Sequence, residues 1–319
     1  MTARGDDRLK ETPSPALIAV DWGTSSLRAY LTAADGTILD VVRSADGIMA
    51  VTDGAFPETL ETTIAPWRQR HGALPVALSG MIGSRQGWHE APYASLPARL
   101  ADIAAAAVRV PSDAPAPVVI APGIAGTDRN GLPDVMRGEE TQIFGAMQLM
   151  ARDGGTFVLP GTHAKWVTVA DGAITAFATY MTGELFAALR GHTILGRMMP
   201  ADSASPCGFT RGVETAASLS GGPGTLLHAI FSARTQGLLG GVPEGDLADY
   251  LSGLLIGAEI REAARDAQRV ILIGEAALTG RYATALDILG RASEQAPADC
   301  VVAGLIAVAK AAGLLGALR

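Results

Sequence analysis

The alternation of apolar and polar residues along the chain writes one unit twice. Residues 17–20, Leu-Ile-Ala-Val, form an apolar run that stops at Asp21 and at a turn of glycine and hydroxyls, Gly23-Thr24-Ser25-Ser26. Apolar residues return in "LRAYL" and again, past Asp35-Gly36, in "TILDVV". Two β-rich runs around an Asp-Gly pair predict a hairpin. The order is strand, Gly-Thr turn, strand, Asp-Gly turn, strand. Residues 156–180, "TFVLPGTHAKWVTVADGAITAFATY", repeat it, with Gly161-Thr162 and Asp171-Gly172 in the corresponding places. Gly23 and Gly161 are 138 residues apart, as are Thr24 and Thr162, and Asp35 and Asp171 are 136 apart. A supersecondary unit recurring at a nearly fixed offset predicts a duplicated architecture.

Helical and strand patterns follow each unit. "FPETLETTIAPWRQR" predicts a helix, and "PVALSGM" a strand running into a Gly-rich loop. "LPARLADIAAAAVRV" is mixed and Ala-rich, and "APVVIAPGIAG" contains a strand. "MRGEETQIFGAMQLMARDGG" predicts a connecting helix that ends at Gly154-Gly155. Beyond it, residues 246–267 read as helix and "RVILIGEAAL" as strand, loop and helix. Strands alternating with helices predict two α/β domains, over residues 16–150 and 151–319, after a disordered tail over 1–15. Residues 182–243 interrupt the second domain. Their Gly and Pro content predicts a mobile segment, with a lid and the subunit contact of a homodimer both open. The one membrane-like run, residues 300–318, has Lys310 at its middle and is dominated by Ala and Gly. A buried C-terminal helix is expected there rather than a membrane span.

Composition narrows the classes. A chain of 319 residues fits two domains of ordinary size, and 48% hydrophobic against 18% charged residues allows a large core. Lys and Arg number 25 against 32 Asp and Glu, a net charge of −7. That argues against nucleic-acid binding, and any anionic ligand needs a local cluster of donors or a metal ion. Cys207 and Cys300 lie far apart and match no zinc spacing, and the polar N-terminus has no apolar core of a secretory signal. A reduced, cytoplasmic protein is expected.

The candidate chemistry sits in the turns. Gly, Ser and Thr let several backbone N–H groups converge on one spot, and such a nest binds phosphate oxygens. Two related turns facing across a cleft could clamp the β- and γ-phosphates of ATP. The candidates are Gly23, Thr24, Ser25 and Ser26 with Arg28 beyond them, and Gly161 with Thr162. Asp21 either holds a hydrated Mg²⁺, an ion that takes one or two carboxylates and keeps several waters, or accepts hydrogen bonds from the turn amides. Leu159 occupies the matching place in the second unit, so the halves are not equivalent. That unit offers His163 and Lys165. Lys165 either neutralises phosphate charge or is an ordinary edge-strand lysine.

"VDWGTSSLRAYL" resembles the first phosphate motif of the sugar-kinase, actin and exopolyphosphatase superfamily, "LPGTHAKWV" its second, and "VILIGEAALTGRYATAL" its adenosine motif. With "SGMIGSRQGW" and "MRGEETQIFGA", the chain from about residue 16 resembles the 2-dehydro-3-deoxygalactonokinase family. The resemblance implies two ribonuclease-H-like (actin-like ATPase) domains with an interdomain cleft. It implies ATP- and Mg²⁺-dependent transfer of phosphate to the terminal 6-hydroxyl of 2-dehydro-3-deoxy-D-galactonate, in galactonate and galactose catabolism. The N-terminal domain would bind sugar acid and phosphate, and the C-terminal domain nucleotide. Gly274 and Glu275 then belong to the nucleotide site. Glu139 and Glu140 become candidate bases for the attacking hydroxyl, Glu139 favoured and Asp134 in reserve, although acids are common in any first helical turn. Glu stands here where the superfamily's sugar kinases place Asp. Ser84 and Gln86 would bind sugar hydroxyls, Arg85 the carboxylate in a bidentate fork, Trp88 would wall the pocket, and Arg137 is a second anion ligand. Two rivals share the motifs. An exopolyphosphatase-type phosphohydrolase is disfavoured by the acidic net charge, and a non-catalytic actin-like ATP-binding protein by the candidate pocket around Arg85 and Trp88.

Overall fold

The computed structural model describes residues 13–111, 116–201, 205–220 and 225–315. The chain opens with β1 (Pro15–Trp22), β2 (Leu27–Ala33), β3 (Ile38–Ser44), α1 (Phe56–His71), β4 (Val76–Ser79), β5 (Tyr93–Ser95) and β6 (Ala98–Arg99). It continues through α2 (Leu100–Ala105), β7 (Val108–Arg109), β8 (Val118–Ile120), β9 (Gly123–Thr127), β10 (Pro133–Met136), α3 (Glu139–Leu149), β11 (Gly155–Leu159), β12 (Ala164–Ala170) and β13 (Ala173–Tyr180). The last part holds α4 (Thr182–His192), α5 (Pro206–Ser218), α6 (Thr225–Ile230), α7 (Ser232–Leu238), α8 (Leu247–Ala263), β14 (Arg269–Leu272), α9 (Ala276–Ile288), β15 (Ala292–Gln295) and α10 (Cys300–Ala311).

Two compact units result, and each carries a six-stranded sheet. The first sheet runs β3-β2-β1-β4-β8-β7 and the second β15-β14-β11-β12-β13-β6. In each, three strands form an antiparallel meander whose first strand pairs in parallel with the fourth. A fifth strand extends that parallel side. Reading both sheets from the third strand of the meander gives the order 3-2-1-4-5, the ribonuclease-H-like arrangement, twice over. Both predicted hairpins form. Asp171 and Gly172 take φ of 50° and 74°, the paired positive values of the tight turn that Asp-Gly favours.

The first sheet is covered on both faces because its strands are apolar on both. Ile18, Val20 and Leu78 meet the Phe56, Leu60, Ile64 and Trp67 stripe of α1. Leu17, Ala19 and Ala77 meet Val302, Leu305 and Ile306 of α10. The C-terminal apolar run is therefore a buried helix, and no helix among the described residues is long and apolar enough to cross a membrane.

The units differ from a division at residue 150. The first gathers residues up to 92, 100–123 and those from 301 onward, and the second 93–99 and 124–300. Long-range contacts explain the crossings. β6 extends the second sheet beside β13, and Asp134 on β10 accepts both the backbone N–H and the hydroxyl of Thr179, each at 2.7 Å. The helix α3 belongs to the second unit and does not connect two blocks. Most of the expected tail, residues 1–12, lies outside the described residues.

The described part of 182–243 is mostly helix. Two of its glycines, Gly208 and Gly212, serve contact with α8 and its start. A Cβ on Gly212 of α5 would lie 2.0 Å from the Tyr250 carbonyl oxygen of α8, and one on Gly253 would lie 2.1 Å from the Phe209 oxygen. A Cβ on Gly208 would lie 2.5 Å from the Asp246 oxygen, just before α8, and one on Gly257 would lie 2.7 Å from the Ala216 Cβ. Through Gly212 and Gly253, α5 and α8 touch backbone to backbone.

Candidate functional site

The first turn leaves the sheet where Asp21 ends the apolar part of β1. Gly23 N–H closes the turn on Ser26 O at 2.9 Å, and Thr24 and Ser25 are exposed. Gly47 packs against it, for a Cβ there would lie 2.4 Å from Ser25 Cα, and Ile48 and Met49 donate to Gly23 O and Thr24 O. The turn is therefore fixed by backbone alone, which leaves its hydroxyls for a ligand.

Asp21 pairs across the sheet with Arg28 on β2 and with Ser79 on β4. Burial pushes its carboxyl pKa upward, and the Arg28 guanidinium pulls it partly back. Next to Ser79, Gly80 has φ of 93°, and a Cβ there would lie 2.8 Å from Trp22 O and 3.5 Å from Asp21 Oδ1. Only glycine leaves that space open beside the carboxylate. The Ser79 hydroxyl is fully buried and makes no hydrogen bond among the described residues.

The loop beyond Gly80 is tightly wound. Trp88 N–H returns to Ile82 O at 3.0 Å, and a Cβ on Gly87 would lie 2.1 Å from the same oxygen. Ser84 is buried with its hydroxyl unpaired among the described residues. Arg85 is 82% exposed and 3.5 Å from Glu90, Gln86 is exposed, and Trp88 packs half-buried against the core of the first unit.

In the second unit Gly161, Thr162 and His163 form the matching turn. Gly183 plays the part of Gly47, since its Cβ would lie 2.4 Å from Gly161 O, and Glu184 N–H donates to Thr162 O. Gly47 and Gly183 are 136 residues apart, the offset of the two Asp-Gly turns, so the duplication extends to the residue that props each turn. His163 Nε2 contacts the Glu184 carboxylate. Gly274, at φ of 143° after β14, lies beside Pro160 as Gly80 lies beside Trp22, and Glu275 starts α9 without a side-chain cap. Lys165 is not an edge-strand lysine, because β12 lies between β11 and β13. It is buried, and its ammonium donates to Val135 O at 2.9 Å and to Thr179 Oγ1 at 2.6 Å. Asp134 is engaged in the same network, accepting from the Thr179 hydroxyl at 2.7 Å.

At the start of α3, Gly138 takes φ of 105°. Glu140 is fully buried, its Oε2 accepting Gly138 N–H at 2.7 Å and its Oε1 the Thr141 hydroxyl at 3.0 Å. Desolvation first, and the neighbouring Glu139 second, raise its pKa to about 8. Glu139 is only half-buried and accepts Arg137 N–H at 2.9 Å. The Arg137 guanidinium lies 4.3 Å from the centre of the Tyr93 ring.

A cleft of ≈ 300 Å³ opens between α5 and α9. Ser205, Phe209 and Thr210 line one wall, and Ala277, Gly280 and Arg281 the other. A Cβ on Gly280 would meet nothing within 4 Å, so that wall has a flat open floor. Ala277, Gly280 and Arg281 fall within the stretch that resembles the adenosine motif, while Ser205, Phe209 and Thr210 were not singled out in the sequence, because their place on the cleft depends on the α5–α8 packing.

Residues 21–308 match the model of the 2-keto-3-deoxy-galactonokinase family. The chain belongs to this family. A Rhizobium meliloti (strain 1021) protein described as a probable 2-dehydro-3-deoxygalactonokinase is 39% identical over 92% of this chain and 96% of its own. The 2-dehydro-3-deoxygalactonokinase of Escherichia coli (strain K12) is 34% identical over 86% and 90%. The crystal structure of a candidate 2-dehydro-3-deoxygalactonokinase from Sinorhizobium meliloti superposes with a TM-score of 0.85 at 40% identity, covering 92% of this chain and 98% of that one. Membership makes the chain a kinase, a user of a nucleoside triphosphate.

Proposed function

We propose that the protein is an ATP-dependent kinase that phosphorylates the terminal 6-hydroxyl of 2-dehydro-3-deoxy-D-galactonate in galactonate and galactose catabolism, giving ADP. The observation that carries this is family membership over residues 21–308, with coverage of nearly the full length of its relatives. A cytoplasmic setting, where ATP is supplied, goes with it.

The parts divide by unit. In the second, the Gly161-Thr162 turn and the start of α9 would hold the donor's phosphates, and the α5–α9 cleft its nucleoside, whose flat ring suits the open floor at Gly280. In the first, the Gly23–Ser26 turn offers hydroxyls and amides to phosphate oxygens. The residues around Asp21 fit Mg²⁺: a strand-end carboxylate, an unpaired serine hydroxyl beside it, and a glycine that leaves room for the ion's waters. When bound, that ion would neutralise charge on the phosphate oxygens. In the first unit Arg85 is the handle for the sugar acid's carboxylate, and the unpaired Ser84 hydroxyl is a partner for a sugar hydroxyl. Arg137, in the second unit, is a further candidate anion ligand.

Glu139 is the better base of the acidic pair. Below about pH 8 Glu140 keeps its proton, so the pair presents one carboxylate, on the more accessible residue. Glu139 takes the proton of the 6-hydroxyl as its oxygen attacks the terminal phosphorus, and the bond to ADP breaks. Glu140 holds the helix start through Gly138 N–H.

A coupled ADP-release screen over 2-keto-3-deoxy sugar acids and neutral hexoses tests the assignment. Release that depends on the sugar acid is expected, with Arg85→Ala raising KM for the sugar acid far more than for ATP. Equal phosphorylation of a neutral hexose would remove the carboxylate handle.

A further inference from the structure

One polar device in the α5–α9 cleft has no part in phosphate chemistry. Asp249, in the first turn of α8, is buried. Its Oδ2 accepts the backbone N–H of Ser205, at the start of α5, at 2.6 Å. Its Oδ1 accepts from Arg281 Nη1, on α9, also at 2.6 Å. A single carboxylate therefore ties the two walls of the cleft together. The Arg281 guanidinium in turn lies 4.3 Å from the centre of the Phe209 ring, a residue of the α5 wall. Phe209 cannot drift, because it is buried and α5 is pressed backbone to backbone on α8.

Arg281 is thus held by a carboxylate at one edge and a ring at one face. It is not consumed by these contacts. A guanidinium has five N–H donors, one of which goes to Asp249, and 34% of the side chain remains exposed on the cleft. Its place along the helix decides what it can reach. Ala277, Gly280, Arg281 and Thr284 all line the cleft and follow the spacing of one helix face. Arg281 is five residues past Ala276, the first residue of α9, roughly 7–8 Å along the axis. The helix start lies beside Gly274 and Pro160, and in the proposed function it is the phosphate end. A nucleotide anchored there extends its nucleoside along this face, across the bare floor of Gly280, to Arg281.

We propose that Arg281 recognises the nucleoside of the phosphoryl donor, and that Asp249 is the positioning residue that fixes its guanidinium. The inference rests on the cleft being the nucleotide site. Arg281 donates from its open edge to acceptor atoms of the nucleoside. Asp249 touches no ligand and acts through Arg281 and the Ser205 amide.

Calorimetric titration separates the levels. ADP reports phosphates plus nucleoside, and inorganic tripolyphosphate reports the phosphate turns alone. Arg281→Lys keeps the charge and the exposed stem but loses the planar fork. It is expected to weaken ADP by about tenfold or more while tripolyphosphate binding and KM for the sugar acid stay unchanged. Asp249→Asn should weaken ADP similarly, and the double variant should be little worse than either single one, because the two act as one unit. Wild-type ADP affinity in a folded Arg281→Lys protein overturns the assignment, whatever Asp249→Asn does to the fold. Wild-type protein that binds ADP no more tightly than tripolyphosphate overturns the cleft as nucleoside site, and Arg281 with it.

Discussion

Asp21 is the residue whose stability and function pull in opposite directions. Its carboxyl is buried enough to be raised in pKa, so the charged form costs folding energy at neutral pH. Asp21→Asn should fold as well as or better than the natural protein, with an equal or higher Tm, while turnover is nearly abolished and the Mg²⁺ requirement weakens. Normal turnover in this variant would remove the metal role. Glu139→Gln should lower kcat by about 10²–10⁴, the range for a lost general base, with nucleotide affinity retained. Steady-state kinetics of Glu139→Gln beside Glu140→Gln decide between the neighbours, and a dead Glu140→Gln with an active Glu139→Gln would reverse the assignment. Glu140 also predicts a pH dependence. Its folded pKa of about 8 lies above the ordinary 4.5, so the folded state binds the extra proton between these values and stability falls as pH rises through them. Urea melts from pH 5 to 8.5 should show a decline, on the order of 4 kcal/mol, that Glu140→Gln lacks. Asp21 and the Gly-Thr turns were legible in the sequence because turn chemistry is local. Ser79, Asp249 and Arg281 were not, since what distinguishes them is the neighbours that folding supplies. The surroundings of Lys165 were hidden for the same reason: its partners Val135 and Thr179 are 30 and 14 residues away.

At the scale of elements, the glycines divide into those that fill no contact and those that set one. Gly212→Ala would drive a methyl to 2.0 Å from the Tyr250 carbonyl, and α5 and α8 must separate to take it. A loss of about 1–3 kcal/mol or more is expected in chemical denaturation. Gly191→Ala, in α4 with open space around it, should instead gain about 0.4–1 kcal/mol. Equal effects of the two would contradict the close α5–α8 contact. The same contrast bears on residues 182–243, whose Gly and Pro content pointed to mobility. Glycine content reports flexibility in a loop and close approach in a helix, and the fourfold spacing of Gly208 with Gly212 and of Gly253 with Gly257 was the signal for the second. The hairpins, by contrast, were fully written in the Asp-Gly pairs. The props Gly47 and Gly183 were readable too, through their shared 136-residue offset, though no local pattern marks either.

For the whole molecule, the duplicated 3-2-1-4-5 sheet explains why one chain carries two phosphate turns, two propping glycines and two post-strand glycines, at Gly80 and Gly274. The repeat was visible in the sequence as an offset. The assignment of chain to unit was not, because β6 and α10 join sheets that precede or follow them by long intervals. What breaks the symmetry is chemistry: Asp21 opposite Arg28 in one sheet, Leu159 opposite Lys165 in the other. Only the first unit has a carboxylate at that place, and only the second has the α5–α9 cleft. The most direct test of the account is a ³¹P NMR spectrum of the products from ATP, Mg²⁺ and 2-dehydro-3-deoxy-D-galactonate. The expected result is a 6-phosphate monoester formed in equal amount with ADP. Release of orthophosphate with the sugar acid unchanged would contradict it.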